Sequence, residues 1–109
     1  MNHSGVDNVS LSLARRVAER LRARPELLDM ARTNLSCWQK RNADSRSLLR
    51  CYAEWEAILT RPLEEVCALL VAETEEGQRL RQNSPFAGVL SPTEVWEIKD
   101  RQRHAAASA

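Results

Sequence analysis

Apolar residues recur along this chain at steps of three and four, the period of helices buried along one side. Leu13, Ala14, Val17 and Leu21 fall on one stripe, and Arg15, Arg16, Glu19, Arg20 and Arg22 occupy the opposite face. This pattern predicts a first helix over 11–23, capped by Ser10. Pro25 suits the first turn of a second helix, where its missing N–H costs nothing, and Glu26 and Asp29 fall near the positive end of that helix dipole. Leu28, Ala31, Leu35 and Trp38 then form a narrow seam that runs out near Asn42. A third helix opening at Asp44 or Ser45 carries a complementary seam, Leu48, Tyr52, Trp55 and Leu59. The short link Asn42-Ala43-Asp44 predicts that the two pair as an antiparallel hairpin over 25–59.

The next helix is predicted over 61–72. Pro62 lies in its first turn beside Glu64 and Glu65, and Leu63, Val66, Cys67 and Leu70 form its buried stripe. Thr74 is placed to cap a short polar helix over 75–82. The sharpest local signal comes last. Ser91 and Glu94 have the spacing of a capping box, and Leu90 and Val95 that of a hydrophobic staple, opening a helix over 92–103. The chain therefore reads as all-α: a small helical bundle built on the 25–59 hairpin with four flanking helices. Residues 11–103 are expected to form a single domain, with flexible tails at 1–10 and 104–109.

Between the last two helices, Ser84 to Leu90 breaks the helical period. Ser84-Pro85 and Gly88 favour a bent or extended path, yet Phe86, Val89 and Leu90 are apolar. Leu90 has a local role in the staple. Phe86 and Val89 have two possible homes, the core of this chain or the cleft of a partner. In the second case Phe86 is the anchor, Val89 its neighbour, and Arg79 or Arg81 reaches an acidic site on the partner. Trp38 and Trp55 fit the hairpin seam, whereas Trp96, beside Val95, either ties the loop to the body or lies at an interface.

Composition narrows the class. The chain is 43% hydrophobic and 28% charged, with three glycines and four prolines, as in an ordinary helical globule. Net charge is +1, but residues 1–50 hold ten basic against five acidic side chains and residues 51–109 hold six against ten. That asymmetry serves either to steer a partner or to pair the halves with each other. Cys37, Cys51 and Cys67 are odd in number and form no CxxC, so neither a disulfide framework nor a zinc site is suggested, and a reducing cytoplasm fits. No run of about 18 apolar residues offers a membrane span.

The residues of catalysis are poorly represented. There is no glycine-rich phosphate loop, and both histidines, His3 and His104, fall in the predicted tails. The acidic pairs Glu64/Glu65 and Glu75/Glu76 lie in first turns, where the helix dipole accounts for them. No enzyme, cofactor or metal site is expected. Arg15, Arg16, Arg20 and Arg22 form the one basic cluster that merits a nucleic-acid test. The acidic start of the following helix and the near-neutral total charge count against DNA, and a solvated face with some of its arginines paired to the acidic second half is the simpler expectation.

One resemblance adds to this. The Arg32-Thr-Asn-Leu helix, the element Glu54-Trp-Glu-Ala-Ile-Leu-Thr-Arg-Pro-Leu63 and the stretch Leu80-Arg-Gln-Asn-Ser-Pro-Phe-Ala-Gly-Val-Leu-Ser91 together resemble small bacterial helical proteins that act as antitoxins in toxin–antitoxin gene pairs. The resemblance covers roughly residues 11–98 and is most specific over 79–98. It implies a protein partner rather than a substrate. The function expected is that of an antitoxin-like inhibitor that docks on a partner enzyme and blocks it sterically, with Arg79, Arg81, Phe86, Val89 and Trp96 as the expected contacts. The alternatives are a DNA-binding regulator using Arg15, Arg16, Arg20 and Arg22, or a structural homo-oligomer.

Overall fold

A computed structural model describes the backbone of residues 4–108 and the side chains of residues 9–105. Six α-helices account for the fold among the described residues: α1 (Ser4–Ala23), α2 (Leu28–Arg41), α3 (Arg46–Ile58), α4 (Leu63–Leu70), α5 (Glu75–Arg81) and α6 (Pro92–Ser108). A 3-10 turn, Pro25–Leu27, links α1 to α2. No helix among the described residues is long and apolar enough to cross a membrane.

Three of the caps expected from sequence are formed, at Ser45, Thr74 and Ser91. Ser45 Oγ accepts from the Leu48 amide (3.4 Å), and Thr74 Oγ1 accepts from the Gly77 amide (3.0 Å). Both halves of the box at α6 are made: the Glu94 amide donates to Ser91 Oγ (3.1 Å) and the Ser91 amide to Glu94 Oε1 (3.0 Å). Each satisfies an N-terminal N–H that the helix leaves without an internal partner.

Several boundaries differ from the sequence expectation: Pro25 lies in the 3-10 turn before α2, α4 spans Leu63–Leu70 rather than 61–72 with Pro62 as its N-cap, and the two largest differences are in α1 and α6. Helix α1 begins at Ser4 rather than Leu11, so Ser10 is an interior residue and not its cap. Nothing in Val6–Ser10 breaks a helix, and lengthening an existing helix needs no new nucleus. Helix α6 runs on to Ser108 instead of ending near 103. Its continuation is alanine-rich, the best helix former, and Gln102 Nε2 donates to Ser12 Oγ (2.9 Å) to hold this end against α1. Most of the two predicted tails is therefore helical, while His3 and Ala109 lie outside the described residues.

Helix α1 is the centre of the bundle. It packs on α4, α5 and α6 and runs antiparallel to α6, since Arg20 meets Glu94 while Ser12 meets Gln102. Its buried stripe is Leu11, Ala14, Val17, Ala18 and Leu21, answered by Val66, Cys67, Leu70, Leu80 and Ile98. The α2–α3 hairpin is present and antiparallel, with Trp38 against Tyr52 (centroids 5.8 Å) and Asn42 Nδ2 donating to the Tyr52 hydroxyl (3.1 Å). Its seam is buried only where it meets the body, at Ala31, Leu35, Tyr52, Trp55 and Leu59. Leu28, Trp38 and Leu48 are half-buried, and no residue from Ser36 to Cys51 is buried. The distal end of the hairpin therefore projects, in a molecule of 42 × 31 × 24 Å.

Candidate interaction surface

The apolar loop finds its home inside the molecule. Phe86 is 4% exposed and meets the edge of Trp55 in a T-shaped pair, centroids 5.6 Å apart at 87°. Trp55 is fully buried and donates its indole N–H to the Leu80 carbonyl (3.1 Å). Val89 and Leu90 are also in the core. Asn34 Nδ2, reaching across from α2, donates to the carbonyls of Pro85 (2.8 Å) and Ala87 (2.9 Å), which pins the loop on both sides of Phe86. Gly88 takes a positive φ of 90° at the bend that returns Val89 to the core, a conformation that favours glycine. The expectation that Phe86 and Val89 anchor a partner is corrected accordingly. In the folded body they face Trp55 and the core, because burying an apolar ring outweighs leaving it in water.

Arg81 also moves from candidate contact to internal fastener. It is 7% exposed, and its Nη1 donates to the carbonyls of Leu70 (3.2 Å) and Ala72 (2.7 Å). Those carbonyls lie at the C-terminal end of α4, which a cation complements. Arg79 lies on the surface but is engaged, with both terminal nitrogens on Glu54 (2.8 and 2.7 Å) and Nη2 also 3.2 Å from Glu76. The Arg79 guanidinium holds the Glu54 carboxyl below the usual carboxylate range. Of the five residues expected at a partner contact, only Trp96 is both exposed, at 59%, and without a polar or aromatic partner among the described residues. It lies beside Glu97, Asp100, Arg101 and His104 in a shallow depression along the outer face of α6.

The four candidate DNA-contacting arginines all meet carboxylates. Arg15 reaches Glu73 (3.2 Å), Arg16 lies near Glu19 and Glu94 (3.6 and 3.7 Å), Arg20 pairs with Glu94, and Arg22 grips Glu64 through Nε (3.1 Å). Arg20 also donates to the Val89 carbonyl (3.4 Å). Four of these contacts join α1 to acids of the second half. Arg20, first, and the Ser91 amide, second, hold Glu94 below the usual carboxylate range.

A different basic region had no sequence signal of its own. Lys40, Arg41, Arg46 and Arg50 stand exposed on the projecting end of the hairpin, and among the described residues none of them has an ion pair or a side-chain hydrogen bond. Cys37 is exposed on the same half of α2. Cys67 does pack: its thiol points at the Ala18 carbonyl (3.8 Å), and burial pushes its pKa up. Among the described residues no group of three or more His, Cys, Asp or Glu is placed to hold a metal ion. His104 is exposed on α6, with Nδ1 3.0 Å from the Asp100 carbonyl oxygen.

Fold and surface together define a small all-α bundle with one exposed tryptophan and one projecting basic hairpin. Compared with known protein families, with characterised proteins and with solved structures, the chain matches none of them.

Proposed function

We propose that this chain is a non-enzymatic protein-binding module whose contact surface is the outer face of α6, centred on Trp96. One observation carries the reading. Trp55 is fully buried and Trp38 half-buried, whereas Trp96 is 59% exposed on a well-formed helix. Tryptophan is enriched among residues that dominate binding energy, because a large rigid ring covers much surface at small entropic cost. The charged groups around it, Glu97, Asp100, Arg101 and His104, supply a polar rim.

The resemblance to antitoxins supplies the finer reading: the partner is an enzyme encoded beside this chain, and α6 covers its active site. The proposal for the mode of inhibition changes with the geometry. A rigid helical face does the blocking, rather than an inserted loop. Regulation through DNA has less support, since Arg15, Arg16, Arg20 and Arg22 are each engaged by a carboxylate.

Co-expression with the product of the neighbouring gene, followed by titration of the purified proteins, tests this. Trp96→Ala should weaken the complex by about 2 kcal/mol, roughly 30-fold, with the helical circular dichroism unchanged. Equal binding by the variant would discard α6 as the contact surface. A solution mass of twice the monomer without a partner, reduced by Trp96→Ala, would reassign the surface to self-association.

A further inference from the structure

The distal end of the α2–α3 hairpin is built differently from the rest of the surface. Trp38 lies across from Tyr52, so the residues between them form the projecting tip. That tip carries Lys40, Arg41, Arg46 and Arg50 against one acid, Asp44. The chain's other arginines on α1 are matched with carboxylates, whereas these four cations have no acidic partner among the described residues.

Helix stability accounts for only part of this arrangement. Lys40 and Arg41 lie in the last turn of α2, where cations complement the dipole. Arg46 is the first residue of α3, and that first turn holds no acid. A cation there opposes the positive end of the dipole. Arg50 follows one turn later on the same outward face, next to a like charge instead of an opposite one. Half-buried Trp38, Leu48 and Leu49 lie among these cations, so the tip offers apolar surface as well as charge.

We infer that the hairpin tip is a second docking surface, for a compact acidic segment of a protein partner. Charge complementarity selects the acid. The distribution of the remaining charge selects a protein over a nucleic acid. A duplex presents about one charge per 1.7 Å along its whole length, whereas these four cations are confined to the tip and the rest of the surface also exposes acids, among them Glu56, Glu65, Glu75 and Glu97. A short acidic segment meets the tip alone. This surface shares no residue with the α6 face and does not depend on it.

The test uses the full chain, isotopically labelled, titrated at about 50 mM salt with a glutamate-rich peptide of about ten residues containing two leucines, and separately with a DNA duplex of about 20 base pairs. The peptide should shift the amide signals of residues 36–51, and its affinity should fall about tenfold in Arg46→Glu/Arg50→Glu. Arg15→Glu and Trp96→Ala should leave it unchanged. Both altered arginines are exposed; if the double variant loses its dispersed spectrum, Arg50→Gln alone provides the comparison. Absence of peptide binding, shifts centred outside the tip, or unchanged affinity in the charge-altered variant would overturn the inference. Tighter binding of the duplex than of the peptide would overturn it in favour of nucleic acid. Loss of partner binding in Trp96→Ala with the peptide response intact would separate the two surfaces.

Discussion

The body around α1 and the distal end of the hairpin differ in how far their groups are answered by the rest of the molecule. In the body almost every demanding group has its counterpart. Phe86 has the Trp55 edge, the Trp55 indole has the Leu80 carbonyl, Arg81 has two carbonyls at the end of α4, and Arg20 has Glu94. At the tip, four cations have no acidic partner among the described residues, and three apolar side chains that pack on the edge of the core stay partly exposed. Body contacts join residues far apart in the chain, so they define the fold. The tip has almost no such contacts, so its residues are free to be chosen for something other than folding.

The strongest attack on this contrast is Phe86→Ala. It removes a buried ring and leaves a cavity against Trp55, so unfolding in urea should show a loss of about 3–5 kcal/mol. If stability is kept and only partner binding falls, Phe86 belongs to a surface and the division between body and tip fails. Gly77→Ala probes the body at a second point. A Cβ there would lie 2.2 Å from the Ala72 carbonyl oxygen, and that backbone also receives Arg81. Shifting it should cost about 1–3 kcal/mol, read in the same urea titration.

Acid should reveal a smaller contribution. Glu94 and Glu54 titrate below the usual carboxylate range because Arg20 and Arg79 favour their charged forms. A carboxyl with a depressed folded pKa contributes stability that is complete above its unfolded value, near about 4.3, and is lost as pH falls through the folded one. The melting temperature should therefore be level above about pH 5 and decline below about pH 4. In Glu94→Gln it should be lower at neutral pH, with a shallower acid decline. Least of all is expected from Arg46→Glu. It should alter stability by no more than about 0.5 kcal/mol, and in the stabilising direction, since an acid at the start of α3 suits the dipole. A destabilisation of about 2 kcal/mol would show that the tip is structurally answered after all.

Much of the body was legible in the sequence because its signals are local. The Ser91/Glu94 box, the Thr74 and Ser45 caps and the three- and four-residue spacing each lie within a turn or two of helix. The stripe on α4 follows the same rule, with Val66, Cys67 and Leu70 buried as expected. The destination of Phe86 was not legible, because it depends on Asn34, 51 and 53 residues from the carbonyls it holds. Arg81 was equally opaque: its spacing resembles that of surface Arg79, and only the docking of α5 on the end of α4 separates them. The tip was misread for the opposite reason. Its seam residues, Trp38 and Leu48, have the period of a core and pack on its edge, but among the described residues no third element buries that end.

The graded burial of the three tryptophans has an optical consequence. Trp55 is sealed against Phe86, Trp38 is half-covered by Tyr52, and Trp96 stands in solvent. Iodide, a charged collisional quencher, should extinguish the red-shifted emission of Trp96 first and leave the blue emission of Trp55 nearly intact. The chain thus carries its own spectroscopic address labels. A ligand that shields the red component sits on α6, and one that perturbs the intermediate component while sparing the red sits at the hairpin tip.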